Sequence, residues 1–113
     1  MVYKNIASFA PLKTTTPASI GATYAAVGSA LVHPAVVLTF INNTNGDVLI
    51  STDATNDMLS LSASSFRVFD IRTNSPDPTS FIFPQGTQFY VKDGTTPSTT
   101  GTFNIEILQL TPG

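Results

Sequence analysis

Ala35-Val36-Val37-Leu38-Thr39-Phe40-Ile41-Asn42-Asn43-Thr44-Asn45-Gly46-Asp47-Val48-Leu49-Ile50-Ser51-Thr52-Asp53 decides the fold class. Val36, Leu38 and Phe40 alternate with Val37, Thr39 and Ile41, the period-two pattern of a strand that shows its two sides to different surroundings. Thr44 to Asp47 interrupts the pattern and Val48-Leu49-Ile50 resumes it. Asn45-Gly46 suits the positive φ angles of a type I′ turn, so the stretch predicts a β-hairpin.

Downstream the same grammar continues. Along Ser65 to Arg72, Phe66, Val68 and Asp70 fall on one side and Arg67, Phe69 and Ile71 on the other, and Ser80 to Phe83 is the expected partner. Asn74-Ser75-Pro76-Asp77-Pro78 between them predicts an exposed loop, because proline has no N–H to give a ladder. Pro84-Gln85-Gly86 predicts a tight turn into Thr87 to Lys92, and Asp93 to Gly101 a further loop. In the last strand Phe103, Ile105 and Ile107 point inward and Asn104 and Glu106 outward. Leu108 and Leu110 then fall on the opposite parity. A bulge, burial on both faces and contact with a neighbouring subunit each account for that, with burial within the chain favoured because a sandwich strand can be covered twice.

Upstream, Ile20 to Tyr24 and Val27 to Val32 predict weaker strands, separated or bent by Gly21 and Gly28. Residues 1–17 mix Val2, Tyr3, Ile6 and Phe9 with Pro11, Pro17 and a threonine run, and without periodicity they predict an extended arm or a frayed terminus. The expected organisation is an arm over 1–17 and one all-β domain over 18–113. That domain is a mostly antiparallel β-sandwich or jelly roll of seven to eight strands, with no crossover helix.

Composition fits one such domain. With 113 residues there is one core, and about 65% of the unfolded surface leaves water on folding. Charged residues make up 11% of the chain, against about 25% in soluble proteins at large. Threonine and serine cover the surface instead, as in Thr14 to Thr16, Ser60 to Ser65 and Thr95 to Thr100. Such a surface repels other copies weakly. The five basic residues Lys4, Lys13, Arg67, Arg72 and Lys92 do not cluster, and net charge is −2, so no nucleic-acid partner is expected. The chain has no cysteine, which excludes disulfides and thiolate chemistry. Met1 to Ala10 lacks the build of a signal peptide, and the apolar run Ala35 to Ile41 is too short to cross a bilayer, so no membrane partner is expected.

Catalytic chemistry finds little to work with. The single histidine, His33, allows a Ser29–His33–Asp53 triad only on paper, because serine and aspartate are common here. The single glutamate, Glu106, has no second acid at a glycosidase spacing and is expected to be solvated. Asp53-Ala54-Thr55-Asn56-Asp57 offers oxygen ligands but lacks the glycine and final glutamate of an EF-hand, so backbone capping is expected there. Phe66-Arg67-Val68-Phe69 and Phe89-Tyr90-Val91-Lys92 approach the aromatic–basic interleaving of single-strand nucleic-acid binders. Each is more simply a strand with an inward aromatic and an outward charge. Asn42-Asn43-Thr44 has the form of a glycosylation sequon and is explained as the approach to the turn. No catalytic, metal-binding or cofactor-binding residue is therefore expected, and no enzymatic activity or cofactor.

Ala18-Ser19-Ile20-Gly21, Tyr24, Val27-Gly28, His33-Pro34, Asn42-Asn43-Thr44, Val48 to Asp53, and Phe83-Pro84-Gln85-Gly86-Thr87-Gln88-Phe89-Tyr90-Val91-Lys92 together give a pattern covering about residues 18–110. In pattern and length it resembles the small β-sandwich virion structural proteins of tailed bacteriophages. The resemblance implies a virion location and a homo-oligomer. As a capsid cement or decoration subunit it would bind the major capsid protein; as a neck or tail ring component it would bind portal or tail proteins. An arm would then lie across a neighbouring subunit. A carbohydrate- or receptor-binding module is the rival reading, with Tyr3, Tyr24 and Tyr90 as its candidate aromatics.

Overall fold

The computed structural model describes residues 5–70 and 83–112. Among them run nine strands: β1 Asn5–Phe9, β2 Lys13–Thr15, β3 Ala25–Ala26, β4 Ala35–Thr44, β5 Val48–Ser51, β6 Leu59–Leu61, β7 Ser65–Asp70, β8 Tyr90–Asp93 and β9 Gly101–Pro112. A 3-10 turn at Pro17–Ser19 is the one helical element among the described residues.

The strands form two antiparallel sheets. One has the order β1-β9-β4-β7, with β2 also on β9, and the other the order β3-β8-β5-β6. β1 pairs with Leu108 to Pro112 and β2 with Phe103 to Ile105, so the two share one edge of β9, broken at Ala10-Pro11-Leu12. Pro11 has no N–H to offer there. Counted as one interrupted strand, they leave eight lanes, and every connection except β5 to β6 passes from one sheet to the other. This is the jelly-roll form of the β-sandwich.

Residues 5–15 of the segment expected as an arm thus form an edge strand of their own chain's sheet. Neither segment expected as a strand, 20–24 or 27–32, forms one; the strand there is β3, at Ala25–Ala26, between them. Two flanking groups still bond to the lane beside them, Val27 N–H to the Phe89 carbonyl and Leu31 N–H to that of Thr87. The partner expected for β7 at 80–83 lies outside the described residues except for Phe83, which bridges Ala35. The Asn74 to Pro78 loop also lies outside them. Pro84 to Thr87 forms the expected turn, with Gly86 at φ +92° and Thr87 N–H on the Pro84 carbonyl at 3.2 Å.

The predicted hairpin does not form. β4 lies in one sheet and β5 in the other, so residues 45–47 carry the chain between layers. Gly46 is not in the positive-φ region that a type I′ turn requires. It is needed for space: a Cβ would lie 2.5 Å from the Ser98 nitrogen and from the Thr96 oxygen. The crossing is fixed by a buried polar cluster. Asn42, fully buried, donates to the carbonyls of Gly46 (2.9 Å), Leu61 (3.1 Å) and Ser62 (3.0 Å). Its Oδ1 accepts from the Thr44 N–H and hydroxyl. A buried amide is tolerated only when partnered in this way.

The core lies between the layers. Leu38, Phe40, Phe103, Ile105 and Ile107 from one sheet meet Val48, Ile50, Phe89 and Val91 from the other. Phe40 sits edge-on to both Phe69 (5.8 Å) and Phe89 (5.6 Å), contacts worth about 0.5–1.5 kcal/mol each beyond burial.

Candidate functional site

Residues directly opposite on an antiparallel ladder share a face, and this rule assembles the surface that stands out. Along β9, Phe103, Ile105 and Ile107 are buried, so Asn104, Glu106, Leu108 and Leu110 point away from the core. Across β4 they face Ile41, Thr39 and Val37, and across β1 Leu108 faces Phe9. On the far side of β4, Ile41 faces Phe66 and Thr39 faces Val68. The outer face of the β1-β9-β4-β7 sheet therefore carries apolar side chains on every lane, interspersed with Glu106, Thr39 and Asn104 and with Asp70 opposite Val37.

Much of this apolar surface is open to solvent. Phe9 is 83% exposed, Phe66 70%, Leu12 57% and Val68 50%. A groove of about 420 Å³, lined by Phe9, Leu12, Val37, Thr39, Glu106 and Leu108, runs along its β1 side. The opposite parity of Leu108 and Leu110 is neither a bulge in β9 nor full burial. The register shift lies in β4, between Ala35 and Val37. β9 keeps its alternation, and it is the outer face that turns apolar.

Phe66 corrects the expectation of an inward aromatic at the start of β7: it points out, while Phe69, on the side of Arg67, packs on Phe40. Phe9 was read only as part of an irregular arm. The parity of Leu108 and Leu110 was the available signal for both, because an outward apolar strand asks for outward apolar neighbours.

The residues weighed for catalysis are dispersed. Ser29 and His33 line one cleft of about 500 Å³ with Lys13, whose ammonium donates to the Ser29 carbonyl at 2.5 Å. Burial lowers the Lys13 pKa. Asp53 is not part of that cleft. Its Oδ1 accepts from the N–H groups of Asn56 and Thr55 and from the Ser51 hydroxyl, all at 2.8 Å, and Oδ2 accepts from the Asn56 amide. Those bonds, led by the Asn56 and Thr55 N–H groups, hold its pKa well below the usual carboxylate range. The loop aspartate is thus a turn-capping group. Glu106 lies in the outer-face groove and is exposed.

Asp57 receives the Tyr24 hydroxyl at 2.5 Å and the Lys92 ammonium at 3.2 Å, and both lower its pKa, the tyrosine more. Lys92 also lies 4.7 Å from the centre of the Tyr24 ring. The pKa of Tyr24 is raised, first by burial and then by Asp57. Tyr90 is half-buried and Tyr3 lies outside the described residues. Among the described residues, no three His, Asp or Glu side chains are grouped to hold a metal ion, and no helix is long and apolar enough to cross a membrane.

No protein-family model matches the chain, and no curated protein matches it. Among solved structures it is similar to a chain of the one described as "Bacillus endospore appendages form a novel family of disulfide-linked pili". The identity is 11% and the TM-score 0.49, over 94% of this chain and 88% of that one. A likeness at that level bears on neither activity nor partners.

Proposed function

We propose that this protein is a non-enzymatic structural subunit that works by assembling with other protein surfaces. The observation that carries the reading is the outer face of the β1-β9-β4-β7 sheet, where Phe9, Leu12, Phe66 and Val68 stand exposed on one side of a weakly charged domain. Phe9 and Phe66, each of about 200 Å², alone leave roughly 300 Å² of aromatic surface open. They stand on opposite edge strands of the sheet, with Leu108, Val37, Ile41 and Val68 between them beside Glu106, Thr39 and Asn104, and exposed apolar surface of this kind favours an interaction role.

The finer reading is a capsid cement or decoration subunit of a tailed bacteriophage, supported by the sequence pattern over residues 18–110. A neck or tail ring component uses the same surface. The carbohydrate-binding alternative is weakened at Tyr24, because the Lys92 ammonium lies over the ring a sugar would stack on. Purified protein mixed with phage particles lacking it should co-sediment with them at saturable stoichiometry. Protein that stays monomeric and never co-sediments would overturn the reading.

A further inference from the structure

We infer that Asn45-Gly46 is a modification site gated by the fold: it is closed to deamidation while the β4–β5 crossing is in place, reactive once the crossing parts, and barred from closing again when the product is isoaspartate.

It is the one Asn-Gly pair in the chain. A glycine after asparagine leaves the next backbone nitrogen unshielded, which suits this reaction. The Gly46 nitrogen attacks Asn45 Cγ, a C–N bond forms, the side-chain amide leaves as ammonia, and water opens the resulting succinimide. Opening at one carbonyl gives aspartate. Opening at the other gives isoaspartate, in which the main chain runs through the former side-chain carbons.

In the folded chain both reacting groups are engaged. Asn45 is exposed, so water reaches it, but its Oδ1 accepts from the N–H groups of Thr99 (2.7 Å) and Thr100 (3.1 Å), and its Nδ2 donates to the Thr99 hydroxyl (2.7 Å). Gly46 is buried, its N–H donates to Thr44 Oγ1 (3.3 Å), and its carbonyl accepts from the Asn42 amide (2.9 Å) and the Thr44 hydroxyl (3.0 Å). The next peptide is tied as well, by the Asp47 N–H on the Thr96 carbonyl at 2.9 Å. Backbone of Thr96 to Ser98 packs so closely on Gly46 that even a Cβ would overlap it. Two N–H groups on Oδ1 draw charge from the amide and favour attack on it. The reaction is therefore withheld by where the Gly46 nitrogen is held, and local opening releases it.

The two products fit the crossing differently. Aspartate at position 45 still gives the Thr99 and Thr100 N–H groups an acceptor, and the Thr99 hydroxyl can turn from accepting to donating. Isoaspartate adds one carbon to the main chain between residues 45 and 46. That displaces Gly46 against Thr96 to Ser98 and away from the Asn42 amide, where there is no room to shift. Opening followed by this rearrangement is thus one-way.

The test incubates the full chain in mildly alkaline buffer, folded or unfolded in guanidinium chloride, and follows residue 45 by peptide-level mass spectrometry with fragmentation that separates aspartate from isoaspartate. The folded chain should convert about tenfold more slowly or better. Thr44→Val, which removes the partner of the Gly46 N–H, should convert in native buffer about threefold or more faster than Thr44→Ser, which keeps it. The denatured mixture is then returned to native buffer and its compact fraction collected. That fraction should contain asparagine and aspartate at position 45 and be depleted in isoaspartate by about fivefold or more.

Equal rates in the folded and denatured chain, or no conversion in denaturant, overturn the gate, and that comparison stands whether or not the variants fold. Thr44→Val that converts no faster than Thr44→Ser overturns the hold on Gly46. Isoaspartate in the compact fraction at its share of the starting mixture overturns the one-way closure.

Discussion

The Asn42 side-chain amide lies 2.9 Å from the Gly46 carbonyl and 3.1 Å from that of Leu61, joining the end of one sheet to the crossing and to the far sheet. Asn42→Ala leaves the carbonyls of Gly46 and Leu61, both buried, that of Ser62 and the Thr44 hydroxyl without this partner, and unfolding should become easier by about 3 kcal/mol or more, measured by urea denaturation. Asn42→Asp should be at least as damaging, because it removes the donor and buries a charge. The same burial closes the sequon: folded protein offered to an oligosaccharyltransferase should remain unmodified at Asn42.

Two glycines with similar backbone angles should respond differently to substitution. Gly101 has φ +95°, and a Cβ there would overlap the Asn43 carbonyl oxygen. Gly86 has φ +92° with open space around it. Gly86→Ala should cost about 1 kcal/mol, the conformational penalty alone. Gly101→Ala should cost about 3 kcal/mol or more, since strain and overlap add. Equal costs in parallel denaturation curves would show that β9 can shift at its start.

Acid should act on the loop at 52–57. Asp53 and Asp57 both have pKa values lowered in the folded chain, so their contribution is present above the ordinary carboxylate value of 3.8 and is lost as pH falls toward the folded values. The thermal midpoint should fall below about pH 4, and Asp53→Asn should flatten part of that fall. An identical acid slope in the variant would place the sensitivity elsewhere.

Neighbouring phenylalanines of β7 separate the two faces. Phe66→Ser, on the exposed face, should change stability by less than about 0.5 kcal/mol while weakening any association through that face. Phe69→Ala, which removes the edge-on partner of Phe40, should cost about 2–3 kcal/mol. Thermal denaturation of dilute protein distinguishes them.

The sandwich was legible because alternation is a local property: Leu38 and Phe40, and Phe103, Ile105 and Ile107, point inward as their parity demands. The pairing of strands was not, because it depends on which layer each strand joins. Asn45-Gly46 satisfies a hairpin's local chemistry, yet Asn42, three residues earlier, turns the chain toward the other layer by bonding to carbonyls of Leu61 and Ser62 that no local window contains. The strands expected in 20–32 were misplaced for a related reason, since the bonds of Val27 and Leu31 to the Phe89 and Thr87 carbonyls owe nothing to periodicity. The outer face was half legible: Leu108 and Leu110 announced it, but Phe9 and Phe66 had to be brought beside them by the register.

Pairing of Asn5 with Pro112 places the open end of the β1–β9 ladder at the two ends of the described chain. Force applied through those ends loads the rungs one after another, as in peeling tape, rather than all together in shear. The first strand should therefore detach at low tension, while the central β4–β9 ladder remains shielded.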